Sequence, residues 1–179
     1  MVYRAIGLMS GSSLDGLNMA FVEFQEIGGK WTFEILNTNC FAYSDVWVSR
    51  LQNATNLSAK DYQLLHIEYG HYTGQQVNKF IEENQLQYKV AVIASQGHTT
   101  FDLPDEKLTA HLGDGAAIAA LTGLPVVTNF YSIDAALGGT ERSMNLLQEK
   151  FSVESGINDI KMPVLFAFMG VLRWREEYN

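Results

Sequence analysis

The chain has 179 residues, 47% hydrophobic and 18% charged, which suits one full-sized domain, or one domain with part of another, and excludes wholesale disorder. Twenty acidic against twelve basic residues give a formal charge of −8, and the basic residues gather no more densely than Arg173-Trp174-Arg175, which argues against a nucleic-acid partner. The single Cys40 cannot form an internal disulfide, no apolar run approaches the roughly 18 residues of a membrane span, and polar Ser10 arrives too soon for a signal peptide, so the expected location is the cytoplasm.

Three prolines leave long stretches free for regular structure. Tyr3 to Met9 is a short apolar run halted by Ser10-Gly11-Ser12-Ser13, which reads as a buried strand entering a turn. Leu17 to Phe24 resumes as a second strand, with Asp15-Gly16 as the hairpin signal because Gly accepts positive φ. Gly28-Gly29 is another tight turn, and Trp31 to Leu36 alternates as a third strand. These three strands make an antiparallel meander.

Helical patterning follows. Ser44 opens a helix through Trp47, Val48 and Leu51. Ser58 and Asp61 have the spacing of a capping box, and the apolar residues from Leu64 to Ile81 predict one long helix to about Asn84. Gly70 and Gly74 share a face of it, a pattern that suits close packing against another backbone, since each costs about 1 kcal/mol against Ala. Lys89 to Ala94 is an apolar run of central parallel-strand character. It leads into Ser95-Gln96-Gly97-His98-Thr99-Thr100, read as a polar loop at the carboxyl end of a strand, where open α/β sheets place ligands. Leu108 to Leu112 is a short strand, Ala116 to Leu121 a helix closed by Gly123, and Pro125 to Phe130 a further strand. After Gly138-Gly139 come a short helix from Thr140 to Phe151, a polar linker from Val153 to Asp159, and a last helix from about Met162 with Pro163 in its first turn. That helix is apolar almost all round, which requires burial on more than one side. Its partner surface is expected outside this chain, and that expectation points to self-association through the helix.

Three loops carry candidate chemistry, each with a plain alternative. The hairpin tip Gly11-Ser12-Ser13-Leu14-Asp15-Gly16 can aim backbone N–H groups and hydroxyls at phosphate oxygens, with Asp15 toward a metal's water shell; the same residues also make an ordinary tight turn. The stretch from Ser95 to Thr100 offers polar side chains, with His98 as a candidate base, or simply a loop whose histidine bonds nearby backbone. Asp114, between Gly113 and Gly115, either helps seat an anion at a helix start or serves as its N-cap. His66, His71 and His111 are too scattered in sequence to indicate a zinc site.

These segments in this order resemble the anhydro-N-acetylmuramic acid kinase family of the actin-like ATPase and sugar-kinase superfamily. The resemblance rests on Gly7-Leu8-Met9-Ser10-Gly11-Ser12-Ser13-Leu14-Asp15-Gly16, on Ser95-Gln96-Gly97-His98-Thr99, on Gly113 to Ala119 with Thr122 to Val127, and on Asp134 with Gly138-Gly139. It covers residues 1 to 139 continuously, then a short piece from Phe166 to Trp174. It implies an α/β fold: an actin-like ATPase (ribonuclease H-like) domain over 1–139, with an N-terminal antiparallel meander and parallel central strands. Residues 140–179 would be C-terminal helices from an incomplete second domain. It implies ATP and Mg²⁺ as cofactors, and phosphorylation of 1,6-anhydro-N-acetylmuramic acid with hydrolytic opening of the anhydro ring, a step of peptidoglycan recycling. Gly11, Ser12, Ser13, Leu14, Asp15, Gly16, Leu17 and Asn18 would then hold the ATP phosphates, Asp15 meeting Mg²⁺ through water. Ser95, Gln96, Gly97, His98, Thr99, Asn129 and Asp134 would lie near the sugar.

The chain departs from the family pattern in several places. Asn18 stands where the hairpin usually ends in Asp, Gln96 replaces the His of Ser-His-Gly, and Asn129-Phe130-Tyr131 replaces Asp-Phe-Arg. The block expected between Gly139 and the last helix, which carries the family's aspartate base and adenosine-binding part, is also missing. The alternative expectation is therefore an inactive paralogue or fragment that only binds ligand or a partner, and the chain taken alone is expected to turn over little.

Overall fold

The computed structural model describes residues 1–132 and 162–176. The expected elements between Thr140 and Asp159 lie outside the described residues. Three strands open the chain: β1 (Val2–Ser10), β2 (Gly16–Ile27) and β3 (Lys30–Ala42). Both pairings are antiparallel, from Ser10 opposite Leu17 to Val2 opposite Gln25, and from Gly16 opposite Ala42 to Ile27 opposite Lys30. The second turn is made by Gly28 and Gly29, with φ of 60° and 80°, the primed geometry that a two-residue hairpin requires. At the first turn the positive φ falls on Leu14, at 57°, and not on Gly16. Gly16 is needed for space instead, since a Cβ there would lie 2.5 Å from the Phe41 carbonyl oxygen.

Helices α1 (Asp45–Gln52) and α2 (Ala59–Glu83) follow. The hydroxyls of Ser44 and Ser58 accept from Trp47 N–H and Asp61 N–H, and Ser58 also donates to the Asp61 carboxylate at 2.7 Å, so each chain reversal is stopped where the sequence predicts. Strand β4 (Val92–Leu103) runs parallel to β1, β5 (Leu108–Leu112) returns antiparallel, α3 (Gly115–Thr122) crosses over, and β6 (Val126–Thr128) lies parallel to the first half of β4. The sheet order is β3-β2-β1-β4-β5, with β6 also on β4, which places the apolar run ending at Ala94 inside the sheet. Gly123 ends α3 at φ 66°.

Strand alternation divides the core. Ile6, Leu8, Met19, Phe21 and Ile93 face Leu65, Tyr69, Val77 and Phe80 of α2 and Ile118 of α3. Gly70 and Gly74 let α3 approach: Cβ atoms there would meet the Asp114 carbonyl oxygen at 2.6 Å and the Leu121 Cβ at 3.1 Å.

The opposite face, with Ala5, Ala20, Val22, Phe24, Val92 and Ala94, receives α4 (Met162–Trp174). The expectation that this helix lacks its partner is not met. Pro163 through Leu172 are all buried, and α4 packs on β1, β2 and β4. Phe168 stands edge-on to Trp31 at 5.2 Å between ring centres, and beyond the helix Arg175 donates to Glu26 across the sheet end at 2.5 Å. Self-association through α4 thereby loses the exposed apolar surface it was argued from.

Candidate functional site

Parallel β1 and β4 end side by side, and their last residues meet. Leu8 pairs with Ser95 and Ser10 with His98, so β4 spends three residues where β1 spends two. This bulge is carried by Gly97 at φ 79°, where a Cβ would lie 2.2 Å from the Leu112 carbonyl oxygen; only glycine fits both demands. The stretch from Ser95 to Thr100, read from sequence as a loop, is therefore a bulged continuation of β4. The correction has a simple cause: polar residues look like a loop in sequence, but here cross-strand partners satisfy them.

The bulge turns His98 onto the α2 side of the sheet beside Ser10, with the Ser10 Oγ 3.0 Å from the His98 Nδ1. Tyr43 donates to the Ser10 Oγ at 2.8 Å, and its own oxygen lies 2.5 Å from the Tyr69 hydroxyl. Burial pushes the Tyr69 phenol well above its usual range, the neighbouring Tyr43 adding to it, and raises Tyr43 likewise. Both are therefore hydrogen-bond donors at neutral pH. Burial also lowers His98, so its ring is neutral.

A second polar link lies on the α4 side. The Gln96 Oε1 accepts from Phe130 N–H at 3.3 Å, and its amide nitrogen lies 2.7 Å from the His111 Nε2. Because the carbonyl end is fixed by Phe130, the amide must donate, which leaves the proton of His111 on Nδ1. Burial pushes His111 down to about 4, only partly opposed by Asp102. Of the other sugar-side candidates, Ser95 is buried and Thr99 exposed. Asn129 is exposed at φ 63° and accepts from the Ser132 hydroxyl. Asp134 lies outside the described residues.

The hairpin tip projects from the root at Ser10. Ser12, Ser13 and Asp15 are exposed, Gly11 and Leu14 half-buried, and Gly16 and Leu17 buried at the start of β2. Leu14 N–H closes a turn on the Gly11 carbonyl at 3.2 Å. Asn18, opposite Met9 and Cys40, lines a surface cleft with them and with Met162 of α4. The tip and the end of β4 thus open at the same end of the sheet. Asp114 is an N-cap: its carboxylate accepts from Ala116 N–H and Ala117 N–H at 3.3 and 2.9 Å, occupying the α3 amides an anion would use. The His66 Nδ1 accepts from Gly113 N–H at 3.1 Å. Among the described residues no three His, Cys, Asp or Glu side chains group to hold a metal, and no helix is long and apolar enough to cross a membrane.

Sequence reasoning missed Tyr43, Tyr69 and His111 as members of this site. Tyr69 sits on the buried stripe of α2 and reads as core, while Tyr43 precedes a helix cap and carries no local signal. Gln96 and His111 are joined only through strand pairing.

A family model described as anhydro-N-acetylmuramic acid kinase matches residues 3–145. The chain is similar to proteins of that name from Zymomonas mobilis (35% identity over 148 residues), Brucella suis (33% over 153) and Sulfurimonas denitrificans (32% over 139). Those alignments cover 75–76% of this chain but only 37–40% of the relatives, so it spans about two-fifths of their length. With the family model spanning most of its length, the chain belongs to the anhydro-N-acetylmuramic acid kinase family.

Proposed function

We propose that this chain forms the phosphate-binding part of an ATP-dependent kinase for 1,6-anhydro-N-acetylmuramic acid. In this reading residues 1–139 are an actin-like, ribonuclease H-like unit, and residues 140–179 a C-terminal remnant. The observation that carries the reading is the junction of Ser10 with His98 at 3.0 Å. It brings the root of the Gly- and Ser-rich hairpin to the carboxyl end of a parallel strand, the place where α/β sheets bind ligands.

Each group then has a task that suits its surroundings. Backbone N–H groups and hydroxyls of Gly11 to Ser13 face phosphate oxygens, because an exposed turn of small residues leaves its amides free to converge. Asp15, exposed at the tip, suits contact with Mg²⁺ through water, since that ion keeps several waters and takes one or two carboxylates besides phosphates. Bound Mg²⁺ would supply charge neutralisation at the phosphates. Gln96, Thr99 and Asn129 line the neighbouring ground for the sugar, with Ser95 and Gly97 shaping the bulge beneath and His98 standing at the hairpin root beside Ser10. Phosphorylation at O6, hydrolytic ring opening and a role in peptidoglycan recycling complete the proposal.

Phosphoryl transfer depends on positioning and electrostatics from every side of the reacting groups, so binding is the decisive readout for this chain. Calorimetry is expected to show Mg²⁺-ATP binding, weakened in Asp15→Ala. Coupled ADP release with the anhydro sugar is expected to stay well below about 1 s⁻¹, the lower end of ordinary enzyme turnover. Absence of Mg²⁺-ATP binding at millimolar nucleotide would overturn the proposal.

A further inference from the structure

The buried link between Ser10 and His98 has a direction. Tyr43 has one hydroxyl proton and gives it to the Ser10 Oγ. Its oxygen can therefore only accept in the 2.5 Å contact with Tyr69, which makes Tyr69 the donor there. Ser10, buried and already accepting from Tyr43, has its own proton left, and the His98 Nδ1 at 3.0 Å is the acceptor the structure offers. The opposite assignment, with Nδ1–H donating to Ser10, would strand the serine proton inside the protein, at a cost of about 1–3 kcal/mol. Nδ1 is thus the acceptor, and the proton of the neutral ring sits on Nε2.

His98 is 7% exposed, and among the described residues its Nε2 has no hydrogen-bond partner. Yet the fully enclosed side-chain polar atom left without a partner among those residues is the Thr73 Oγ1, not this nitrogen. Nε2 is therefore not fully enclosed, and the small exposed part of His98 includes it. A ring held this firmly, with one N–H unspent and open to the outside, is built to meet an acceptor.

We propose that the chain Tyr69 to Tyr43 to Ser10 pins His98 as its Nε2–H tautomer, and that His98 thereby presents a neutral hydrogen-bond donor, not a base, to a phosphoryl oxygen held by the Gly11–Gly16 hairpin. The choice of ligand rests on the kinase reading above; the tautomer does not. Tyr69, Tyr43 and Ser10 are positioning residues, acting through His98. The candidate base of the sequence reading becomes a donor, because the nitrogen able to take a proton faces inward and is already engaged by Ser10.

Protein labelled with ¹⁵N in its histidine rings tests this directly, since two-bond ¹H–¹⁵N correlations distinguish the two tautomers and the imidazolium. The expected wild-type pattern at pH 7 is Nε2–H for His98. Tyr43→Phe removes the proton that enters Ser10, lets the serine hydroxyl turn away and accept from Nδ1–H, and is expected to give a mixture of tautomers. Should that variant not fold, Tyr69→Phe, one step further back, is expected to give a smaller shift of the same sign. An Nδ1–H or imidazolium pattern in the wild type, or a pattern unchanged in a folded Tyr43→Phe protein, overturns the pinning. Titration with Mg²⁺-ATP and with inorganic phosphate is expected to move the Nε2 resonance, and titration with the anhydro sugar is expected to leave it in place. His98→Phe should weaken Mg²⁺-ATP about three- to tenfold, the loss of one neutral hydrogen bond, and His98→Gln, which restores an N–H donor, should recover most of it. If Mg²⁺-ATP binds by calorimetry while Nε2 stays unmoved, or if only the sugar moves it, the donor role is wrong and the kinase reading stands. If neither nucleotide nor phosphate binds at all, the kinase reading fails and takes the phosphoryl target with it, while the tautomer is still decided by the spectrum of the free protein.

Discussion

Replacing Gly7 by alanine tests whether the last helix belongs on this sheet. Gly7 sits in the segment by which the chain resembles its family, yet its surroundings are those of packing. A Cβ at that position would lie 1.7 Å from the Pro163 carbonyl oxygen and 2.8 Å from the Ala167 nitrogen. Both neighbours are backbone of α4, so no rotamer change relieves the clash. Heavy atoms rest about 3.5–4.0 Å apart, so α4 would have to retreat by about 2 Å, and a gap of half that already forfeits a large share of each contact. Overpacking in cores usually costs about 1–3 kcal/mol; with backbone on both sides, we expect about 3–5 kcal/mol. That is a large part of the roughly 5–15 kcal/mol available to a domain. Urea unfolding followed by tryptophan fluorescence reads the effect, because Trp31 packs against Phe168 of α4. With an m-value of about 2 kcal/mol/M the midpoint should fall by about 2 M. Gly11→Ala is the control: its nearest atom would be 3.5 Å away and its φ is not positive, so its cost should stay within about 0.5 kcal/mol. Gly170→Ala, facing the Ala94 Cβ at 2.6 Å, should fall between the two. A Gly7→Ala protein as stable as the Gly11→Ala control would show that α4 does not lie on this face.

Acid should destabilise the fold through its neutral histidines. His111 titrates near 4 when folded against about 6.5 unfolded, so the unfolded chain binds the extra proton between those values and stability is lost as pH falls through that window. The full shift corresponds to about 3 kcal/mol, which partial exposure of the ring reduces to about 2. The loss between pH 7 and pH 5 should thus be about 1 kcal/mol or more, seen as a lower urea midpoint, and an identical midpoint at both pH values would contradict the assignment. Gln96→Glu puts a carboxylate where the amide now donates to His111. It should raise the His111 pKa by more than one unit in an NMR titration, and an unchanged value would mean that Gln96 does not face the ring.

Much of the fold is legible in the sequence because local rules decide it. Ser44 and Ser58 announce helices they do cap, Gly28-Gly29 forces its turn, and the spacing of Gly70 and Gly74 foretells a backbone approaching α2. Apolar runs bounded by turn residues locate β1 and β2, alternation locates the start of β3, and the solid apolar run before Ser95 locates the strand inside the sheet. Strand β3 runs past the expected Leu36 to Ala42 because its outer residues, Asn37 to Cys40, are kept extended by pairing with β2 and not by any pattern of their own. The same applies to β4 beyond Ala94. Of the candidate site, the hairpin tip and His98 could be named from residue type, but the groups that set their chemistry could not. Tyr43 meets Ser10 across 33 positions and Tyr69 across 26 only through the fold. No spacing rule reaches that far.

The neutral residues that stand where the family pattern has charges also acquire a physical meaning. Gln96 must accept from Phe130 N–H on one end and donate to His111 on the other. An uncharged amide does both at any pH, and it keeps its neighbour neutral. His98 is held neutral by burial and by the serine at its inner nitrogen. Asn129 takes a left-handed conformation, tolerated by its short polar side chain, and engages Ser132. The end of the sheet between β1 and β4 is therefore furnished with oriented dipoles in place of ions. Under the proposed function such a surface would recognise oxygen atoms by the direction of its donors, and the negative charge of a bound phosphate would be met by the backbone amides of the hairpin and by the metal near Asp15.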